Sequence, residues 1–594
     1  MAASGDQARP RYPIWGLKAR TAPGVTFEEY SFWAKIEREM EEKEHVQLLA
    51  TTRKLSFFDS IRVYLKLSPR TLEGGRPVPS EIPLDSHGSD NNKNTAAAVN
   101  TTVEGQAVQE DSIIPIYDYN AEWRRAARAL RTANWMTTFY LITTDVLGWS
   151  QTPYAFASAG YAITASAFII FGLAAGASGF MIWRVFMMLD SSRYPVLNFG
   201  DAFFRLFGPR TRTLINILQA FQILCSVAVI LISNSQKLSQ LAHARVCYIV
   251  IVIINVVIAM TSCTLRALKQ LGWLCNCAVW INIVTFIIIM TAAATHGPDT
   301  TIVHQITLIK DTAPVKTFSG IPPSGYQQQT TNTFAAVFNA IDTIAYAYSG
   351  TLLFIGFMAE MRHPMDFWKA IVISQVFIVL VYFLFGIFVY HYMGQYSILS
   401  ITQVISPHAI QILCNISGII MGFLSTFLYF NIGMKTIYLE VGQEIFRLPP
   451  ITEKKGYFLW LALGPVYWIF AMILAVSIPN FAGLTNLIGG LLLLNFTYTI
   501  PPVIYLMYVI KKHSALPGEG FDPQTGITTR HDNGWRRHVR GVKKSWYISI
   551  PLISLACAGL ACSGLGTWSA IESLIPIFGR GGTIQTAWGC TAVG

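Results

Sequence analysis

Two stretches set polar and helix-breaking residues inside runs that are otherwise apolar. The first, DVLGWSQTPYAFASAG (residues 145–160), brings Asp145, Gly148, Trp149, Ser150, Gln151, Thr152 and Pro153 into a run that starts near residue 133. The second brings Asp342, then Tyr346, Ala347, Tyr348, Ser349 and Gly350, into the run 332–359. Gly loosens the backbone, and Pro153 lacks an amide hydrogen and clashes with the turn before it, so an unbroken helix is disfavoured. Each run is expected to be two half-helices. Amides freed around Thr152 to Tyr154 form the positive end of the second half-helix and suit a carboxylate, while carbonyls ending the first halves suit an ammonium. A free amino acid carries both groups and matches such a pair of ends better than a sugar does.

The expected substrate-binding residues are therefore Gly148, Trp149, Ser150, Gln151 and Thr152 on the first break and Tyr346, Ala347, Tyr348, Ser349 and Gly350 on the second. Asp145 and Asp342 each lie near mid-depth of their run, where a charged side chain costs roughly 2.5–3.5 kcal/mol on insertion scales. They are candidates for binding the coupling proton or the substrate ammonium, against the alternative of structural acids. Ser425 and Thr426 form a hydroxyl pair read as an ordinary helix contact, without sodium dependence. No His-rich cluster, phosphate loop or Gly-x-Ser-x-Gly is present, so neither an enzyme nor an ATP-driven pump is expected, and no cofactor or metal.

The elements that must position these residues are membrane spans. The chain has 594 residues, 52 % hydrophobic and 13 % charged, too apolar for a soluble protein of ordinary composition. A span needs roughly 20 residues to cover about 30 Å of hydrocarbon. Eleven such runs are expected, at about 133–159, 161–183, 213–234, 246–265, 272–294, 332–359, 370–393, 409–433, 457–476, 481–509 and 546–568. With the N-terminus in the cytoplasm, twenty-five Lys and Arg fall in the inner loops, while the outer ones hold only Lys237, Arg245, Lys310, Lys316 and Arg580. The net charge of +11 is thus topological and implies no nucleic acid partner. Residues 1–120 read as a cytosolic extension with helices at 25–49 (Tyr30, Trp33, Ile36 and Met40 on one face) and 53–67. Residues 70–112 are expected to be disordered. The transporter domain would occupy 121–570, and 571–594 an extracytoplasmic tail. The nine cysteines, Cys247 among them, are expected to be buried packing thiols. Asn100, Asn415 and Asn495 head Asn-x-Ser/Thr sites, but one is cytosolic and two lie in spans, so none should be glycosylated.

Interrupted backbone at membrane depth is tolerated only in a protein interior or at a cavity, and breaks at matching positions of two five-helix halves point to an inverted-repeat transporter. TPYAFASAGY and AYAYSGTLLFIGFMAEMRHPMDFWKA (residues 345–370), with ILQAFQ, GWLCNCAVWIN, ISPHAIQ, FNIGMK and FTYTIPP, resemble the amino acid/auxin permease family, particularly its fungal members. The resemblance covers most of residues 130–510. It implies an all-α LeuT-like fold of five plus five inverted helices and an eleventh, with proton-coupled uptake of amino acids. Val146 stands where the family pattern GxGxLxLP has its first Gly, and Ser150 and Thr152 replace Leu. The expected function is proton symport of a neutral, apolar or aromatic, amino acid across the plasma membrane. The alternatives are the vacuolar membrane, another small solute on the same fold, and an amino acid sensor signalling through residues 1–120.

Overall fold

The structure is a computed structural model describing residues 20–22, 24–51, 128, 131, 133–146, 148–243, 245–264, 268–309, 313–443, 446–449, 454–477, 481–578, 588 and 590. The expected helix at 53–67 and the polar stretch 70–112 lie outside these residues. Two compact units are present, Met1–Lys35 with Ala127–Gly594, and Ile36–Ala126. Of the second, residues 36–51 are described as helix, with an Arg38–Glu41 ion pair at 2.8 Å.

In the larger unit, nine helical runs among the described residues are long and apolar enough to cross a bilayer. The first, 135–189, holds two expected spans, and the shorter apolar helix Tyr248–Ala259 stands where the fourth is expected. Eleven spans result. Span 1 is Trp135–Val146, a 3₁₀ turn Trp149–Gln151 and residues 152–159, and span 2 is 161–189. Spans 3, 4 and 5 are Pro209–Leu241, Tyr248–Ala259 and Leu268–His296. Span 6 is Thr333–Ala347 followed by Thr351–Glu360, and span 7 is Phe367–Met393. Span 8 is His408–Ile437, span 9 Lys454–Ser477, and span 11 Trp546–Phe578. Span 10 runs from Phe481 to Ser514 through two π turns, Gly489–Leu493 and Asn495–Thr499. The protein is an all-α multi-pass membrane protein, and spans 1 and 6 are the broken ones.

Span 1 turns into span 2 at Gly160, whose φ of 79° lies in the left-handed region open to glycine. A Cβ there would lie 2.0 Å from the Gly320 carbonyl oxygen, so the loop 297–332 approaches closer than any side chain allows. Tyr161 and Ala162 donate their amides to Phe318 and Ser319 carbonyls at 3.0 and 2.9 Å, fixing that loop over the turn. Outward-facing apolar side chains such as Leu173, Ile217, Leu384, Phe470 and Leu560 are exposed, as lipid-facing positions require. Span 6 is among the most enclosed crossing helices.

The face opposite the loop 297–332 carries residues 27–35, the start of the N-terminal helix, of which Tyr30 and Trp33 are buried. Arg20, just before it, forks onto Asp201 at 2.8 and 2.9 Å and reaches Glu440 at 2.5 Å. Asp201 lies in a short helix, Phe199–Phe207, between spans 2 and 3, and Glu440 in the π turn ending span 8. Arg212 and Asn216 each add a bond of 2.6 Å to Glu440. Burial alone would raise the Asp201 carboxyl, but the Arg20 guanidinium outweighs it and holds the group below the usual carboxylate range.

Cys247 and Cys590 form a disulfide, which corrects the packing-thiol expectation for both. In sequence Cys247 resembles the other cysteines in or beside spans, and only the meeting of Cys590 with the span 3–4 connection distinguishes it; of the free cysteines Cys225, Cys263 and Cys414 are buried, whereas Cys557 is exposed. Lys237 is a second correction. Span 3 stays helical to Leu241, so Lys237 belongs to the span rather than to an outer loop.

Candidate functional site

The breaks form where local chemistry demands. Pro153 occupies the first turn of the helix after the break, the position where its missing amide costs nothing. Asn332 caps span 6 by accepting from the Phe334 and Ala335 amides. The two breaks touch each other, since a Cβ on Gly148 would sit 3.3 Å from the Ala347 Cα.

Tyr382 of span 7 joins them. Its hydroxyl accepts from the Gly148 amide at 2.6 Å and donates to the Ala347 carbonyl at 2.7 Å. One buried side chain thus satisfies a backbone donor of one break and an acceptor of the other, groups that cost free energy if left bare. Nothing local in the sequence signals this, because Tyr382 sits in an apolar span among many aromatic residues.

Beside the touching breaks is a cavity of about 170 Å³, bounded by spans 1, 3, 5, 6, 8 and 10 and by the loop 394–407. Of the expected binding residues, Gly148, Trp149, Ser150, Gln151, Tyr346, Ala347 and Ser349 line it. Thr152, Tyr348 and Gly350 do not. Thr152 is fully buried and donates its hydroxyl to the Trp149 carbonyl at 2.9 Å. Tyr348 packs away from the cavity, its ring 5.2 Å from Tyr382 and 6.0 Å from Phe168. Gly350 serves as the residue before the second half of span 6. The expected carboxylate site at Thr152–Tyr154 is also altered. The 3₁₀ turn uses the Gln151 amide on the Gly148 carbonyl and the Thr152 amide on that of Trp149.

The two candidate acids separate. Asp145 lies in the last turn of Trp135–Val146, and its side chain is outside the described residues. Asp342 is fully buried and does not line the cavity. It faces spans 10 and 11 instead, where a Cβ on Gly566 would lie 2.1 Å from its Oδ1 and one on Gly490 3.2 Å from its Oδ2. Neither oxygen has a hydrogen-bond partner among the described residues.

The cavity walls mix hydroxyls and amides with apolar side chains such as Val229, Ile230, Met421, Phe481 and Leu493. Span 3 presents Ser226, Ile230, Ser233 and Lys237 at three- and four-residue spacing, with Asn234 beside them, a stripe on one helical face. That periodicity is legible in the sequence once span 3 is extended past residue 234. Oδ1 of Asn234 and Oε1 of Gln151 are buried acceptors without partners among the described residues. Ser425 lines the cavity, whereas Thr426 donates its hydroxyl to the Gly422 carbonyl at 2.6 Å, a contact within its own helix. Thr285 and Ser417 pair their hydroxyls across spans 5 and 8 at 2.9 Å.

The cavity extends to Ser400 and Thr402, on the side of the loop 297–332. At the opposite face the same helices are tied together. Ala133 donates its amide to the Glu360 carbonyl at 3.0 Å and accepts from the Arg362 amide at 2.8 Å, and Lys435 meets Glu360 at 3.1 Å. Arg131 and Asp190 form a buried ion pair at 2.8 Å, and Arg128 donates to the Arg362 carbonyl at 3.1 Å.

Residues 131–518 match the model of a family described as transmembrane amino acid transporter protein. A curated relative from Neurospora crassa, described as N amino acid transport system protein, is 21% identical over 41% of this chain and 46% of its own length. Another from Fusarium pseudograminearum, described as a transmembrane transporter, is 22% identical over 48% of this chain and 54% of its own. The chain thus spans about half the length of the curated relatives it matches. A solved manganese transporter from Eremococcus coleocola aligns over 81% of this chain and 99% of its own, at 13% identity and a TM-score of 0.41.

Proposed function

Because this chain belongs to the transmembrane amino acid transporter family, we propose that it is a secondary active transporter that carries an amino acid through the cavity at the two breaks by alternating access. The observation that carries this reading is the cavity's asymmetry. It reaches the loop residues Ser400 and Thr402 on one face, while the Ala133–Glu360–Arg362 backbone pairing and the Arg131–Asp190 ion pair close the other.

The orientation proposed puts the N-terminus in the cytoplasm. The charge asymmetry of the loops supports it, and so does the Cys247–Cys590 disulfide, which lies on the opposite face and belongs in an oxidising compartment. The cavity then opens outward. Partners of the protein are accordingly the amino acid, protons and the lipid bilayer, with the plasma membrane as the site of uptake.

The hydroxyl and amide groups of Ser150, Ser233, Asn282 and Ser425 on the lining support a polar substrate side chain in place of the apolar or aromatic one expected from sequence. Asp342 is the group proposed to carry the coupling proton, because a carboxylate without partners at that depth accepts no other cation on the described structure. Uptake of labelled amino acids into proteoliposomes, with and without an imposed pH gradient, tests the whole reading. It predicts accumulation driven by an acidic outside, and failure to bind or move any amino acid would sink it.

A further inference from the structure

Lys237 is the only charged residue lining the cavity among the described residues. Span 3 carries it one turn before its end, on the same face as Ser226, Ser233 and Asn234. Its stem lies across bare backbone on span 8, because a Cβ on Gly418 would meet its Cε, Cδ and Nζ at 3.1 to 3.2 Å. One turn deeper Gly422 admits Asn234 in the same way, its would-be Cβ 2.0 Å from Oδ1. Two glycines of span 8 thus make room for two polar side chains of span 3.

No carboxylate answers this ammonium among the described residues, and no hydrogen bond holds it. Gln236 and Gln240, close to it in sequence on span 3, are neutral and engaged with the loop 394–407 and span 8. Asn415 donates to Gln240 Oε1 at 2.9 Å, Gln403 donates to Gln236 Oε1 at 3.3 Å, and Gln411 donates to the Gln403 carbonyl at 2.6 Å. A cation inside a span is costly unless it is paired. A zwitterionic amino acid adds no net charge, so the cavity would remain positive with such a substrate bound. An amino acid with an ionised side-chain carboxylate adds one negative charge and leaves the cavity neutral.

We propose that Lys237 is a specificity-determining residue that takes the side-chain carboxylate of an acidic amino acid, so that the substrate class of this cavity is the monoanionic amino acids. The inference rests on the cavity being an amino acid site. The substrate ammonium then falls among the neutral hydroxyl and amide groups of the same wall. The side-chain carboxylate at Lys237 then lies toward the loop face.

The test compares the near-isosteric pairs glutamate and glutamine, and aspartate and asparagine, with the full-length protein in proteoliposomes. The wild-type protein should prefer the acid of each pair. Lys237→Gln should lower acid uptake about tenfold or more, the equivalent of about 1.4 kcal/mol, while amide uptake stays within about twofold. Lys237→Arg should retain the acid preference, and thermal stabilisation by each ligand reads binding apart from transport. Wild-type transport of the amides without competition from the acids overturns the inference and leaves the amino acid reading intact. Equal loss of both classes in Lys237→Gln, with glutamate stabilisation unchanged relative to glutamine, also overturns it. Binding of no amino acid at all overturns both.

Discussion

Tyr382 and Asp342 show how single side chains give the broken spans their properties. The Tyr382 hydroxyl is shared between the Gly148 amide and the Ala347 carbonyl, so Tyr382→Phe leaves both buried groups bare. At about 0.5–1.5 kcal/mol per bond, the loss is about 1–3 kcal/mol. A lowered thermal midpoint and a several-fold slower uptake are expected, and wild-type kinetics in this variant would remove Tyr382 from the machinery. Asp342→Asn keeps the shape of the pocket formed by Gly490 and Gly566 but cannot lose a proton. It should abolish accumulation driven by a pH gradient while counterflow exchange of labelled substrate continues. Full gradient-driven accumulation in the variant would assign the proton elsewhere. Both roles depend on what faces the residue, which a single sequence does not record.

Elements, rather than residues, decide which face is closed. The start of span 1, the end of span 6 and the end of span 8 meet through Ala133, Glu360, Arg362 and Lys435, beside the buried Arg131–Asp190 pair. Removing one partner of a buried pair costs about 3–5 kcal/mol, because the other charge is left uncompensated. Arg131→Ala should therefore weaken closure of this face relative to the opposite one. In right-side-out vesicles, a Ser349→Cys reporter on the cavity wall should react more slowly with an impermeant thiol reagent added outside. Unchanged labelling would mean that the pair plays no part in closure. The expected limits of most spans lie within several residues of those observed. The exception that mattered is span 3, where residues 235–241, expected as loop, continue as helix and carry Lys237 into the cavity. Hydropathy alone ends a span at its first polar turn, whereas a helix facing a cavity goes on.

At the scale of the whole molecule, the N-terminal segment is divided in its role. Arg20 is buried against Asp201 and Glu440, and Glu28 is bound by Arg530 and Arg537 of the loop before span 11, the latter at 3.0 Å. A deletion of residues 1–110 would thus remove part of the transporter's own packing along with the extension. Deleting only 52–110 separates the two functions cleanly. A transporter should keep its uptake rate, whereas a sensor signalling through the extension should lose its output. Arg20→Ala, in contrast, should lower the thermal midpoint of the full chain, with Arg212 and Asn216 limiting the loss at Glu440. Equal stability of this variant and the wild type would show that Arg20 is dispensable there.

The sequence by itself determined the solvent, the number of crossings and the two places where helices break. Apolar length, alternating loop charge and the chemistry of Gly148 and Pro153 act locally and need no partner to be read. Tertiary structure decided which side chains meet. It turned Thr152 and Tyr348 away from the cavity, set Asp342 against Gly490 and Gly566, and paired Cys247 with Cys590. It also brought Tyr382 to both breaks and left Lys237 alone among neutral groups. These outcomes depend on the packing of helices far apart in the chain, and on small residues of one span making room for polar residues of another.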